Sequence, residues 1–159
     1  MNSKHSLLVQ PEVGEFTDLE DTYNCVCLEI PEPVATEAKD YASTEWHGED
    51  GVDVYVPSSV RMKAFDWKIK CGIKASSRSS LTTYYDELIS LLSLGKNLKV
   101  YSSLLERGRE KVLYKGVEDV ESFIDASGMS VMTFTLCLWC TDPTTEIRPD
   151  NDAEPTELV

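Results

Sequence analysis

The sequence predicts a mainly β fold, a β-sandwich with one flanking α-helix near residues 80–94, and three stretches predict it. In "KAFDWKIKCGIKA", Phe65, Trp67, Ile69, Cys71 and Ile73 fall on one face while Asp66, Lys68, Lys70 and Lys74 fall on the other. That period of two belongs to a half-buried strand. In "SVMTFTLCLWC", Met132, Phe134, Leu136, Leu138 and Cys140 share one parity and Val131, Thr133, Thr135, Cys137 and Trp139 the other. Both sets are rich in the β-branched and aromatic types that suit a pleated surface. Between them lies one stretch of helical period, with Leu81, Tyr84 or Tyr85, Leu88, Leu91 and Leu92 as its stripe. Burying the apolar face of the first strand alone is worth on the order of 8–12 kcal/mol gross.

The elements follow in chain order. Residues 1–20 are polar and acidic with scattered apolar positions and show no clear period. "TYNCVCLEI" alternates Val26, Leu28 and Ile30 against Cys25, Cys27 and Glu29, a strand pattern. "PEPVATEAKDYAST" reads as loop, because its prolines cannot sit inside a ladder. "EWHGEDGVDVYVPSS" reads as a turn at Gly48 and Gly51, then a short strand through Val52, Val54 and Val56, closed by Pro57. Ser79 or Ser80 is placed to cap the helix and Gly95 to stop it. "NLKVYSSLL" is a strand, and "ERGREK" turns around Gly108 into "KVLYKG", so residues 97–116 read as a hairpin. "VEDVESFIDASG" leads into the last strand, and after Thr141 the pattern ends.

The 159 residues suit a single domain over 1–143, followed by an acidic tail over 144–159. From Thr141 onward six acids face only Arg148, with little to bury, so the tail is expected to be disordered. Apolar residues at 42% and charged residues at 27% are ordinary for a folded chain, but a net charge of −13 is not. It argues against a nucleic-acid clamp, which needs clustered Lys and Arg, and against docking on anionic lipid. The opening "MNSKHSLLVQPE" has too short an apolar run for a signal-peptide core, and no window is long enough to cross a bilayer. A cytoplasmic origin, with five reduced cysteines, is the expectation.

Cys137 and Cys140 form a C-x-x-C, but on a strand they point to opposite faces with Cα atoms about 10 Å apart. A disulfide needs less than about 7 Å, so the pair is read as two small hydrophobes. Cys25 and Cys27 share a strand face and are open to a third cysteine. Zinc ligands come in pairs from turns rather than regular strands, however, and no metal site is assigned. His47 lies among Glu45, Glu49, Asp50 and Asp53, whose spacing does not fit a twelve-residue calcium loop, so a solvated turn is favoured. His5 is the only other histidine, no nucleophile elbow exists, and the Gly-Lys of "SLGKN" sits at the wrong end of a helix for phosphate. No catalytic or cofactor-binding residue is assigned. Lys68, Lys70 and Lys74 form a basic row on an acidic chain, either paired across strands or set against acids of a neighbouring subunit.

The segment order resembles a known family. "EWHGEDGVDVYVP", "KAFDWKIKCGIKA", a helix ending "LLSLGKN", "LKVYSSLLERGREKVLYKGV" and "VMTFTLCLWCTDP" are together similar to tail-tube-like and distal tail proteins of long-tailed phages, in forms found in prophages of gut bacteria. The resemblance covers roughly residues 45–143. It implies a β-sandwich with a flanking helix and subunits that form a ring, commonly a hexamer, around a channel; with no catalytic constellation in the residues, a non-enzymatic structural protein is the expectation. Other tail proteins would be the partners, and the virion tail, assembled in the host cytoplasm, the location. Many distal tail proteins carry a second, carbohydrate-binding-like domain, for which this chain is too short, so a tube, adaptor or minor hub role fits better. The expected subunit contacts are Trp46, Asp50, Asp53 and Tyr55 in the 45–57 loop, the lysine row, and Arg107 and Arg109 in the hairpin tip 105–111. The competing reading is a monomeric module for carbohydrate or another ligand, with Trp46, Tyr55 or Trp139 as stacking platforms.

Overall fold

The computed structural model describes residues 7–11, 14–94 and 96–149. In chain order the elements are β1 (Leu7–Gln10), β2 (Thr17–Asp18), α1 (Leu19–Tyr23), β3 (Cys25–Glu29), β4 (Ser43–Thr44) and β5 (Asp53–Val54). They continue with β6 (Phe65–Ala75), α2 (Arg78–Leu92), β7 (Leu98–Ser102), β8 (Arg107–Ile124) and β9 (Ser130–Cys140). Seven strands make one antiparallel sheet in the order β2-β1-β7-β8-β9-β6-β3, and β4 and β5 pair separately.

Connectivity forces that sheet to curl. Its two edges, β2 and β3, are joined by α1 and Asn24 alone. A flat seven-stranded sheet would hold its edges roughly 29 Å apart at ~4.8 Å per strand. The five residues of α1 rise only about 7.5 Å. The edges therefore approach each other, α1 touches both β1 and β3, and the mainly β, sandwich-like body encloses its core. Asp18 caps α1 by accepting the N–H groups of Glu20 and Asp21, and Asn24 ends it in the left-handed region.

The core lies on the inner face. Trp67, Ile69, Cys71 and Ile73 of β6 and Phe134, Leu136, Leu138 and Cys140 of β9 are buried there, on the parities that the alternation assigns. Register pairs Trp67 with Leu138, Ile69 with Leu136 and Cys71 with Phe134. The helix α2 seals this face through Leu81, Leu88 and Leu92, and Tyr85 meets Phe134 edge to face at 5.4 Å.

Several boundaries differ from expectation. The helix begins at Arg78, and its cap is Ser77, whose extended φ of −141° lets Oγ accept the Ser80 N–H. Ser79 and Ser80 are already helical. The expected stop at Gly95 lies outside the described residues; the helix ends at Leu92, with the Ser93 N–H and hydroxyl both donating to the Ile89 carbonyl. The β7–β8 hairpin turns at residues 103–106, not around Gly108, which lies inside β8. A Cβ on Gly108 would stand 2.7 Å from the Val100 carbonyl, so the glycine serves close strand approach rather than a turn.

Two segments carry more structure than their sequence announced. β8 continues through "VEDVESFI" to Ile124. Register shifts between Tyr114 and Gly116 and between Glu118 and Glu121 break its alternation. Of the tail expected to be disordered, residues 144–149 lie against the body: Glu146 bridges to Arg109, and the Ile147 N–H donates to the Gly108 carbonyl at 3.3 Å. The rest of that tail lies outside the described residues.

Candidate functional site

The cysteines resolve first. Trp139 pairs with Asp66 and Leu113 on the outer face of β9, Cys137 shares that face, and Cys140 points into the core. All five cysteines are free thiols. Burial pushes the Cys140 thiol up to about 12. The third cysteine open to Cys25 and Cys27 is Cys71, which faces Cys27 directly across β3 and β6. Hydrogen bonding with Cys25 and Cys27, and then burial, pushes the Cys71 thiol well up. Thiols held protonated in this way pack as small hydrophobes and are poor nucleophiles. Among the described residues, no group of three or more His, Cys, Asp or Glu is arranged to hold a metal ion.

The lysine row lies on the outer face of β6. Lys68 pairs with Glu118 of the same chain at 3.3 Å and Lys74 with Asp125 at 2.8 Å. Lys70 stands exposed opposite Glu29. Two of the three charges thus pair within the same chain, Lys68 with an acid of β8 and Lys74 with one in the turn that follows it. Nearby, Val26, Leu28, Gly72, Phe123 and Val131 line a groove of about 580 Å³.

The two arginines proposed as contacts hold the chain to itself. Arg109 is only 3% exposed, and its guanidinium donates to the carbonyls of Pro33 (2.9 Å) and Thr145 (3.1 Å). Arg107 forks between Glu32 (3.0 Å) and Glu146 (2.8 Å), which pushes its own pKa up and holds the Glu146 carboxyl below its usual range. The Trp67 indole donates to the Pro31 carbonyl at 2.9 Å. Together these bonds pin residues 31–33 and 145–146 against the body. Burial of Arg109 was not legible in "ERGREK", where every position looks like a solvated turn.

From that pinned root an arm leaves the body. Its two legs run antiparallel: Lys63 N–H donates to the Glu37 carbonyl, Lys39 N–H to Arg61 and Tyr55 N–H to Ala42, each at 2.8 Å. Ser43 pairs with Val54 and Thr44 with Asp53. The expected strand through Val52, Val54 and Val56 shrinks to Asp53–Val54, and none of the three valines is buried. Every residue from 36 to 56 is exposed, Tyr55 to 68% and Val56 to 73%. Trp46 donates its indole N–H to Asp53 at 2.6 Å, which fixes the tip. Asp50 and His47 are exposed at the same end. The arm thus brings together Trp46, Asp50, Asp53 and Tyr55, while Lys68, Lys70 and Lys74 lie on the sheet and Arg107 and Arg109 at the root.

No family model matches the sequence. No curated protein matches it either. Among solved structures, the fold is similar to the crystal structure of the SPP1 Dit protein, described as a paradigm of the hub adsorption apparatus in phages that infect Gram-positive bacteria. The TM-score is 0.59 at 15% identity, covering 90% of this chain and 52% of that one. The chain therefore spans about half the length of the structure it matches.

Proposed function

We propose that this chain is a non-enzymatic structural component of a phage tail or tail-like machine, and that copies of it assemble into a ring as a tube, adaptor or hub. The observation that carries the reading is the arm. A two-stranded ribbon is marginal alone in water. This one leaves Trp46, Val54, Tyr55 and Val56 open to solvent, and among the described residues no part of the body covers them. Exposed apolar surface gathered on one projection marks an interaction site, and a neighbouring copy or another tail protein is the partner that would cover it. The likeness to a hub protein supports the same reading. So does a net charge of −13, since an acidic ring repels the phosphates of DNA passing through it. Trp46, Asp50, Asp53 and Tyr55 are the proposed contacts, with exposed Lys70 the best placed of the basic row.

Light scattering on the purified chain, with negative-stain imaging, tests this. Closed rings that dissociate when Val54 and Tyr55 are both changed to Asp support it. A strict monomer at high concentration, in both the parent and the variant, rejects self-assembly.

A further inference from the structure

A depression of about 570 Å³ is lined by the arm's root, through Thr36, Glu37 and Lys63, and by the exposed Trp139. We propose that this depression is a binding subsite for a neutral saccharide, with Trp139 as its stacking platform. The subsite is separate from the ring contacts and does not depend on them.

Three features favour that ligand class. The first is the indole itself. Trp139 is 42% exposed, yet it is a paired residue near the end of β9, held between Asp66 of β6 and Leu113 of β8. A large aromatic face presented from a rigid strand loses little freedom when a flat apolar surface lies on it. The C–H face of a pyranose ring is such a surface, and its slightly positive hydrogens suit the negative face of the indole.

The second is the rim. Asp66 accepts from Lys115 at 3.1 Å, and Glu37 stands 4.0 Å from Lys63. Each pair leaves spare carboxylate lone pairs and ammonium protons pointing to solvent, and the Thr36 hydroxyl adds another group of both kinds. Hydroxyls of a sugar donate to carboxylates and accept from ammonium groups, so a rim of mixed donors and acceptors matches them.

The third is balance. Two carboxylates and two ammonium groups leave the depression with no net charge, on a chain whose total is −13. A site for an anion would gather cations, and one for a cation would gather acids. Here neither sign dominates, and a neutral polyhydroxylated ligand is the class that remains. The volume lies within the range of small-molecule sites.

Trp46 stands on the arm and does not line this depression. That makes it the internal control. The full chain is titrated with maltose, cellobiose, lactose and N,N′-diacetylchitobiose, read by calorimetry and by tryptophan fluorescence. Monomeric and assembled fractions are measured separately, so that failure of the ring appears in the size profile and failure of the subsite in the titration. Saturable binding of at least one of the four is expected in both fractions. It should weaken roughly tenfold or more in Trp139→Thr, which keeps a strand-forming residue, and less in Asp66→Asn, while Trp46→Phe leaves it unchanged. No saturable binding to any of the four, binding that survives Trp139→Thr, or binding confined to the monomer each overturns the proposal.

Discussion

The body and the arm use the same sequence signal and reach opposite ends. In β6, alternation sorts Trp67, Ile69, Cys71 and Ile73 into a core where each is at most 1% exposed. In the arm, Val52, Val54 and Val56 alternate as cleanly, yet they are 52%, 42% and 73% exposed. The difference lies in what stands opposite. The face of β6 is covered by α2 and continued by β9 across eleven paired residues, whereas among the described residues β5 pairs with the two residues of β4 alone. Alternation thus encodes a strand with one apolar side, and burial of that side is decided by the rest of the chain or by something outside it.

Stability measurements sharpen this contrast. Phe134→Ala should cost about 3–5 kcal/mol in urea unfolding, since it removes a fully buried ring and its edge contact with Tyr85. Tyr55→Ser in the arm should change the same measurement by less than about 0.5 kcal/mol while reducing assembly. A large loss of monomer stability from the arm variant would mean that the arm packs on its own body after all.

The boundary between the two regions gives the next effect. Arg109 holds Pro33, at the start of the arm's root, and Thr145 together. Arg109→Met keeps the length and apolar stem but leaves two carbonyls without their charged donor. A loss of about 2–3 kcal/mol is expected, with faster tryptic cleavage at Arg148 as residues 144–149 come loose. Unchanged cleavage would show that the bridge from Arg109 to Glu146 and the Arg107–Glu146 pair hold that segment independently.

Two glycines of the sheet give a smaller effect with opposite outcomes. Gly108→Ala sets a Cβ 2.7 Å from a backbone carbonyl, so strand β8 must shift, at about 1–3 kcal/mol. Gly72→Ala meets nothing nearer than Leu28 at 3.6 Å and should be nearly neutral in the same unfolding assay.

What the sequence revealed follows the same division. β6, β9, α2 and the opposite faces of Cys137 and Cys140 were legible because regular elements of eleven or more residues repeat one period. β1, β2 and α1 were not: they have four, two and five residues, and the polar stretch around them adds no flanking alternation to show a period. The far half of β8 was hidden by its bulges. The burial of Arg109 is hidden for a different reason: it depends on carbonyls at Pro33 and Thr145, which no local pattern around "RGRE" announces. Trp46, Asp53 and Tyr55 lie in a stretch that reads as turn and loop, but their exposure as an arm follows from the pinned root, a tertiary fact.

The smallest expected effect concerns the β8–β9 turn, where charge rather than packing holds the chain. Asp125 accepts from Lys74 at 2.8 Å, from the Ser127 hydroxyl and N–H, and from the Met129 N–H. With Lys74 the largest influence, these bonds hold its carboxyl well below the ordinary value of 3.8. A group whose folded pKa is depressed stabilises fully above its unfolded pKa, and that contribution fades as pH falls through the folded value. The Asp125 contribution should therefore be intact at neutral pH and diminish from about pH 4 downward. Asp125→Asn keeps an acceptor for the turn's N–H groups but removes the charge that Lys74 meets. Its melting temperature should lie slightly below the parent's at pH 7, and the gap should narrow as the pH is lowered below 4. A gap that stays constant down to pH 2 would place the stabilisation in the hydrogen-bonded turn alone, and the lysine of β6 would then be free to meet an acid elsewhere, as the ring contact would require.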